Sequence, residues 1–151
     1  MSPDRVLTIE NLQNKVPVNR SKISKVIFSI LRRLRIRKNV RIGVYFVGDG
    51  KIKVLNRRYL KHDRSTDVIC FDLSMNKKET LADIFISADT AVSNAKKFNT
   101  TPGYELCLYA AHGVLHLFGF DDTTRSKRRL MRRKEKEIMT RFFINPQEAS
   151  I

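Results

Sequence analysis

The fold of this 151-residue chain is decided by residues 111–122, AHGVLHLFGFDD. This run and the residues just before it are apolar nearly all round, which predicts a buried central helix. Gly119 stands where such a helix would stop, because glycine adopts the left-handed conformation that closes a helix without steric cost. We therefore expect the other elements of the chain to pack around this helix.

Two of the three histidines, His112 and His116, lie four residues apart within this stretch. Side chains at that spacing leave the same face of a helix, about 6 Å apart at Cβ. If the chain turns back after Gly119, Asp121 or Asp122 can approach both imidazoles. Two imidazoles and one carboxylate can form a three-ligand metal site that leaves room for a water. The alternative is that each histidine is an ordinary, hydrogen-bonded core residue.

The histidine spacing matches the zinc-protease helix HExxH, in which the glutamate beside the first histidine acts as the base. Here that position is occupied by Gly113. Because the base is missing, the sequence argues against a peptidase.

The charge balance is the most informative property of the composition. Thirty basic residues against fifteen acidic ones give a formal net charge of +15. Such an excess repels itself within a small domain, so a polyanionic partner is the natural explanation. Nucleic acid comes first and an anionic membrane surface second, while a generally basic proteome is the alternative without a ligand.

Three observations bear on the compartment of the protein. The apolar runs are too short to span a bilayer, and the N-terminus has no apolar segment typical of a secretory signal. Cys70 and Cys107 sit in apolar stretches without a CxxC spacing, which favours buried thiols in a reducing compartment. We therefore expect a cytoplasmic protein.

Hydrophobic periodicity divides the chain into strands and helices. Alternating or β-branched segments predict strands at residues 6–11, 40–47, 66–71 and 83–87. The near-continuous apolar run of the third strand predicts burial on both faces. Helical patterns and capping residues predict helices that begin near residues 19, 49, 88, 101 and 124.

This order predicts an α+β fold, because the strands come mostly early and the helices mostly late. We expect one domain over residues 1–151, with a frayed tail from about residue 145. A small mixed sheet of about four strands would pack with about five helices. The metal site would lie at the end of the buried central helix.

Residues 112–121, HGVLHLFGFD, resemble the HGxLHLxGYD signature of the YbeY family, the metal-dependent endoribonucleases of bacterial ribosomal RNA maturation. Leu55, Asn56 and Tyr59, followed by Asp63 and residues 66–71 (TDVICF), are similar to the family block LN-x-x-Y…D-x-x-TDVLSF. Residues 82–86, ADIFI, resemble the GDI-V-I strand. The three matches occur in the expected order and spacing.

The departures from the family pattern are equally specific. The family signature usually ends in a third histidine, and here that position is Asp122, which can still ligate zinc. The family also shows an arginine directly after the tyrosine of its second block, and here that residue is Leu60. Arg57, Arg58 and Arg64 are candidates for the missing charge, and nothing in the sequence separates them. We assign the role to Arg64. His62 is expected to be a solvated loop residue.

The resemblance implies a metal-dependent endoribonuclease that acts on single-stranded ribosomal RNA. His112, His116 and Asp122 would hold one divalent ion, zinc by preference, and no membrane partner is expected. Ribosomal RNA or ribosomal particles would bind to basic surfaces formed by Arg128, Arg129, Arg132 and Arg133 and by the run of Arg32, Arg33, Arg35, Arg37 and Lys38.

Two alternative functions remain open at this point. The first is a non-catalytic RNA-binding ribosome assembly factor with a structural metal. The second is a metal-dependent hydrolase that acts on a substrate other than RNA.

Overall fold

A computed structural model describes residues 3–60 and 66–145, with the side chain of Leu60 outside the description. The described residues form nine elements in order along the chain. They are β1 (Arg5–Asn11), α1 (Arg20–Arg33), β2 (Asn39–Val47), α2 (Asp49–Leu60), β3 (Val68–Asp72), β4 (Glu79–Ser87), α3 (Ala88–Phe98), α4 (Pro102–Leu117) and α5 (Arg125–Phe142). The expected α+β fold, with four strands and five helices in one domain, is confirmed.

The four strands form one mixed sheet in the order β1-β2-β4-β3. The strands β1, β2 and β4 are parallel, whereas β3 runs antiparallel to β4 at the edge. Alternate side chains of β2 and β4, such as Val44 and Ile84, are fully buried on one face of the sheet. These side chains form part of the main core.

The prediction that the third strand is buried on both faces is wrong. Of β3, only Ile69 is buried, while Val68, Cys70 and Phe71 are half-buried and Asp72 is exposed. The strand is at the edge of the sheet, so it has one neighbouring strand instead of two. A short apolar run is equally compatible with a half-buried edge strand, and pairing decides between the two.

The helix α4 is the centre of the fold, as its sequence predicts. Thr101 begins the helix by accepting the backbone N–H of Tyr104 at 3.1 Å, and Pro102 occupies the first turn, where its missing N–H costs nothing. The helix contacts α1, α3, α5, β3 and β4. Leu106, Ala110 and Val114 are almost completely buried against these elements.

The helices α1 and α5 cover α4 and carry the basic residues outward. Asn19 caps α1 through the N–H of Lys22, and Thr124 caps α5 through the N–H of Lys127. The apolar side of α5 faces the core through Met131, Ile138 and Met139, which are each at most 3% exposed. In the described residues, no helix is both long and apolar enough to cross a membrane.

Candidate metal site and basic surface

The two histidines leave α4 one turn apart, close to the point where the helix ends. The backbone of Gly119 has a φ of +102°, which favours glycine. The N–H of Gly119 bonds the carbonyl of His116 at 3.1 Å, and the N–H of Phe120 bonds the carbonyl of Leu115 at 3.1 Å. This pair of bonds is the Schellman motif, so the predicted glycine stop is confirmed.

A cavity of about 320 Å³ lies where this end of α4 faces β3. It is bordered by His112, His116 and Asp122, together with Gly113 and residues 66–70. The structure therefore brings all three predicted ligands to one cavity. Asp121 instead accepts the backbone N–H of Thr123 at 3.1 Å and closes a turn.

The three predicted ligands differ in exposure. His112 is half-buried, whereas His116 and Asp122 are exposed. In the described part of the chain, no three His, Cys, Asp or Glu side chains are gathered closely enough to hold one metal ion. The ligand set therefore stays a prediction. The donor chemistry still fits a divalent ion, because two imidazoles and carboxylates border the same cavity.

Several residues considered from the sequence fall outside the described part of the chain, among them Asp63 of the family block. Arg64 and His62 belong to residues 61–65, which lie outside the described residues. The same is true of the side chain of Leu60, which stands at the position of the family arginine.

Glu135 of α5 is a neighbour of the site that the sequence did not reveal. Its Oε2 lies 2.5 Å from Nδ1 of His112. This hydrogen bond raises the pKa of the His112 imidazole, against the opposing effect of burial. The two residues are 23 positions apart in different helices, so no local pattern links them. The available signal was an acidic residue within a strongly basic helix.

Asp67 is a second residue at the site that the sequence did not reveal. It borders the cavity, and its Oδ1 accepts the N–H of Val68 at 2.8 Å. The same oxygen accepts the hydroxyl of Thr66 at 3.3 Å. Polar residues just before an apolar strand were the signal for this position. Asp67 adds a further carboxylate to the cavity wall.

Cys70 also borders the cavity. Burial raises the pKa of its thiol to about 11, with a further contribution from Asp72. The thiol therefore stays protonated at neutral pH, so Cys70 contributes an uncharged side chain to the cavity wall. Cys70 and Cys107 are both present as thiols and form no disulfide with each other.

Gly113 lets α4 lie close against the sheet. A Cβ at this position would be 3.0 Å from Cγ2 of Ile84 and 3.3 Å from Cγ2 of Val68. A glutamate, as in the zinc-protease helix, would have to pass through these side chains. The structure thus gives a steric reason for the missing protease base.

A second polar cluster lies in α4 between the start of the helix and His112. Glu105 is 3% exposed, and its two carboxylate oxygens accept the hydroxyls of Thr100 at 2.9 Å and Tyr109 at 3.2 Å. The hydroxyl of Tyr109 in turn accepts Nδ2–H of Asn94 at 2.8 Å. Burial raises the pKa of Glu105. This cluster joins α3 to α4 inside the protein.

The two basic segments predicted from the sequence approach each other in the structure. A cavity of about 340 Å³ lies between the end of α1 and α5, and it is lined by Arg32, Arg33, Arg35 and Lys134 among others. The nearby Lys38 has its Nζ 5.8 Å from the ring centroid of Phe118, at the end of α4. The outward face of α5 exposes Arg128, Arg129, Arg132 and Arg133.

Comparison with known proteins identifies the family. The sequence model described as Endoribonuclease YbeY matches residues 8–143. A protein named Endoribonuclease YbeY from Thermoanaerobacter pseudethanolicus is 31% identical, over 91% of this chain and 98% of that protein. One of the same name from Desulforamulus reducens is 32% identical, over 91% of this chain and 97% of that protein.

A structural comparison supports the same fold. The solution structure of TM1509 from Thermotoga maritima superposes with a TM-score of 0.63 at 24% identity. The match covers 96% of this chain and 97% of that protein. The fold agrees with the sequence match, which spans most of the chain. This chain therefore belongs to the YbeY family of endoribonucleases.

Proposed function

We propose that this protein is a metal-dependent endoribonuclease that cleaves single-stranded RNA during ribosomal RNA maturation. One observation carries the proposal: His112 and His116 leave one turn of α4 beside a cavity that Asp122 also borders. Family membership supports the reaction class. The metal dependence and the single-stranded substrate rest on the chemistry of the residues.

We propose His112, His116 and Asp122 as the protein ligands of one divalent ion, with zinc as the preferred metal. Imidazole nitrogen and carboxylate oxygen are both zinc ligands, and three of them leave a fourth position for water. When bound, such an ion lowers the pKa of a water and polarises the scissile phosphate. The side chain of Asp122 is exposed and can adjust toward the histidines.

Asp67 is suited to handle a water molecule in the cavity. The bonds from Val68 and Thr66 hold its Oδ1 at the cavity wall. The other carboxylate oxygen can accept a hydrogen bond from water and so orient it. We therefore assign Asp67 a role in orienting the attacking water.

The basic surfaces would hold the RNA backbone. Guanidinium and ammonium groups bind phosphates without reading sequence, and the binding weakens as salt rises. A single strand suits such a site, because it can bend a phosphate into a small cavity while its bases stay unpaired. Ribosomal RNA, free or in ribosomal particles, is the proposed partner, and a cytoplasmic location is part of the proposal.

Cleavage of a ribosomal RNA precursor tests the proposal. The wild type should cleave with zinc present, whereas chelation and the His116→Ala variant should each abolish cleavage. The neighbouring aspartates make a matched pair, because Asp122 borders the cavity and Asp121 closes a turn. Asp122→Asn should lose bound zinc in elemental analysis, and Asp121→Asn should keep it. Cleavage that persists in the chelated protein and in His116→Ala would overturn the proposal.

The same samples identify the main alternative. Salt-sensitive RNA binding without cleavage, equal in the wild type and in His116→Ala, would indicate a non-catalytic assembly factor.

A further inference from the structure

The carboxylate of Glu135 contacts the first histidine of the candidate site from the side of α5. The Oε2–Nδ1 distance is 2.5 Å, and the side chains of His112 and Glu135 are 28% and 14% exposed. The contact therefore lies at the interface of α4 and α5 and is largely shielded from water. A short charge-assisted bond of this kind constrains the ring more strongly than an exposed pair does.

The other acidic residue of α5 provides an internal comparison. Glu137 is 37% exposed, and its Oε2 lies 3.4 Å from Arg33 Nη2 and 3.6 Å from Lys134 Nζ. Such solvent-exposed ion pairs contribute little to stability. The two acidic side chains of this otherwise basic helix thus have different partners. Glu137 pairs with basic side chains at the surface, whereas Glu135 contacts His112.

The chemistry of the contact determines which ring nitrogen carries the proton. An ionised carboxylate only accepts hydrogen bonds, so Nδ1 of His112 must be the donor. In the neutral imidazole, the lone pair then lies on Nε2, which is the nitrogen left for a ligand. The His112 side chain borders the cavity. Metal-bound histidines commonly have their second nitrogen held in this way.

We propose that Glu135 is a positioning residue that holds His112 with Nδ1 protonated and Nε2 available to a metal ion. The inference rests on the proposed function, since it concerns the same metal site. It also links two parts of the protein, because Glu135 lies on the helix that exposes Arg132 and Arg133. The docking of α5 on α4 therefore sets both the basic surface and the orientation of His112.

The tautomer of His112 can be measured in the metal-free protein. Ring ¹⁵N chemical shifts, recorded above the pKa of the imidazole, should show Nδ1 protonated in the wild type. Glu135→Ala should shift the signal toward the Nε2-protonated form, whereas Glu135→Gln should retain the wild-type form, because its amide oxygen still accepts. Glu137→Ala is the matched control and should behave as the wild type does.

Zinc titration supplies the second measurement. Loss of such a partner costs about 10–100-fold in metal affinity, so Glu135→Ala should bind zinc more weakly by that factor. Glu135→Gln should lie between this variant and the wild type, and Glu137→Ala should match the wild type. If Glu135→Ala does not fold, the affinities of Glu135→Gln and Glu137→Gln decide, and equal values would overturn the inference.

The two proposals fail in different ways. The positioning role is overturned if folded Glu135→Ala keeps the wild-type tautomer of His112, or if it binds zinc as tightly as Glu137→Ala does. The proposal of zinc binding would still stand. A wild type that binds no zinc, but whose His112 tautomer changes in Glu135→Ala, overturns the metal proposal and leaves the orienting contact in place.

Discussion

The helix α4 carries two polar clusters on one stripe, and only one of them has the properties of a functional site. Glu105, Tyr109, His112 and His116 are spaced by four, three and four residues, which places them on the same side of the helix. The first two belong to the buried cluster near the helix start. The last two belong to the candidate metal site near its end.

The clusters differ in how completely their polar atoms are satisfied by the protein. Both carboxylate oxygens of Glu105 accept hydroxyl groups from Thr100 and Tyr109, so the cluster has no need of a ligand. At the other end, Glu135 occupies one nitrogen of His112, and the ring borders an open cavity. A polar stripe thus becomes structural where the protein completes its bonds and functional where bonds are left for a ligand.

The His116→Ala variant tests most directly whether the histidine end of α4 is functional and not structural. Loss of a residue that only hydrogen-bonds to a metal ligand typically costs about 10–100-fold in activity. His116 is itself a proposed ligand, so we expect RNA cleavage to fall by more than about 100-fold. Since His116 is exposed, the free energy of unfolding should stay within about 0.5 kcal/mol of the wild-type value. Cleavage rates and urea unfolding measure the two effects. A protein that loses stability and keeps its activity would reverse our assignment of the two clusters.

Tyr109→Phe should have the opposite pattern. Removal of the hydroxyl leaves one oxygen of the buried Glu105, and the amide of the half-buried Asn94, without this partner. The expected loss is about 1–3 kcal/mol in the free energy of unfolding, with cleavage by the folded protein unchanged. Tyr59→Phe is the control, since Tyr59 is 58% exposed, and it should change neither quantity.

The stability of Gly113→Ala tests whether the histidine end of α4 packs tightly against the sheet. The new Cβ would be 3.0 Å from Ile84, which is fully buried, so the core must shift. We expect a net loss of about 1 kcal/mol, since overpacking outweighs the gain in helix propensity. Gly50→Ala is the matched control: its Cβ meets nothing within 4 Å, so thermal unfolding should show equal or higher stability.

The smallest expected effect is a change in pH dependence at the structural cluster. Burial raises the pKa of Glu105, so the native state binds this proton more tightly than the unfolded chain does. The free energy of unfolding therefore falls as pH rises from the usual glutamate range through the raised pKa. Glu105→Gln cannot ionise, so its stability relative to the wild type should increase over that interval. Urea unfolding at several pH values would contradict this if the difference stayed constant.

Local features of the fold were predictable because they depend on neighbouring residues. Helices begin near residues 19, 101 and 124 as expected. Asn19, Thr101 and Thr124 cap them through hydrogen bonds that span three residues. The burial of β3 was mispredicted, because an apolar run does not reveal whether a strand has one neighbour or two. The stretch that carries Arg64 lies outside the described residues, so that assignment stays a prediction.

The sequence by itself determined that His112 and His116 share a helix face and that the helix ends at Gly119. Both follow from hydrogen bonds and spacings within about one turn. Only the tertiary structure decided that Glu135 meets His112 and that Asp67 borders the same cavity. Those contacts depend on how α5 and β3 pack against α4. The packing comes from the whole core, and no local pattern encodes it.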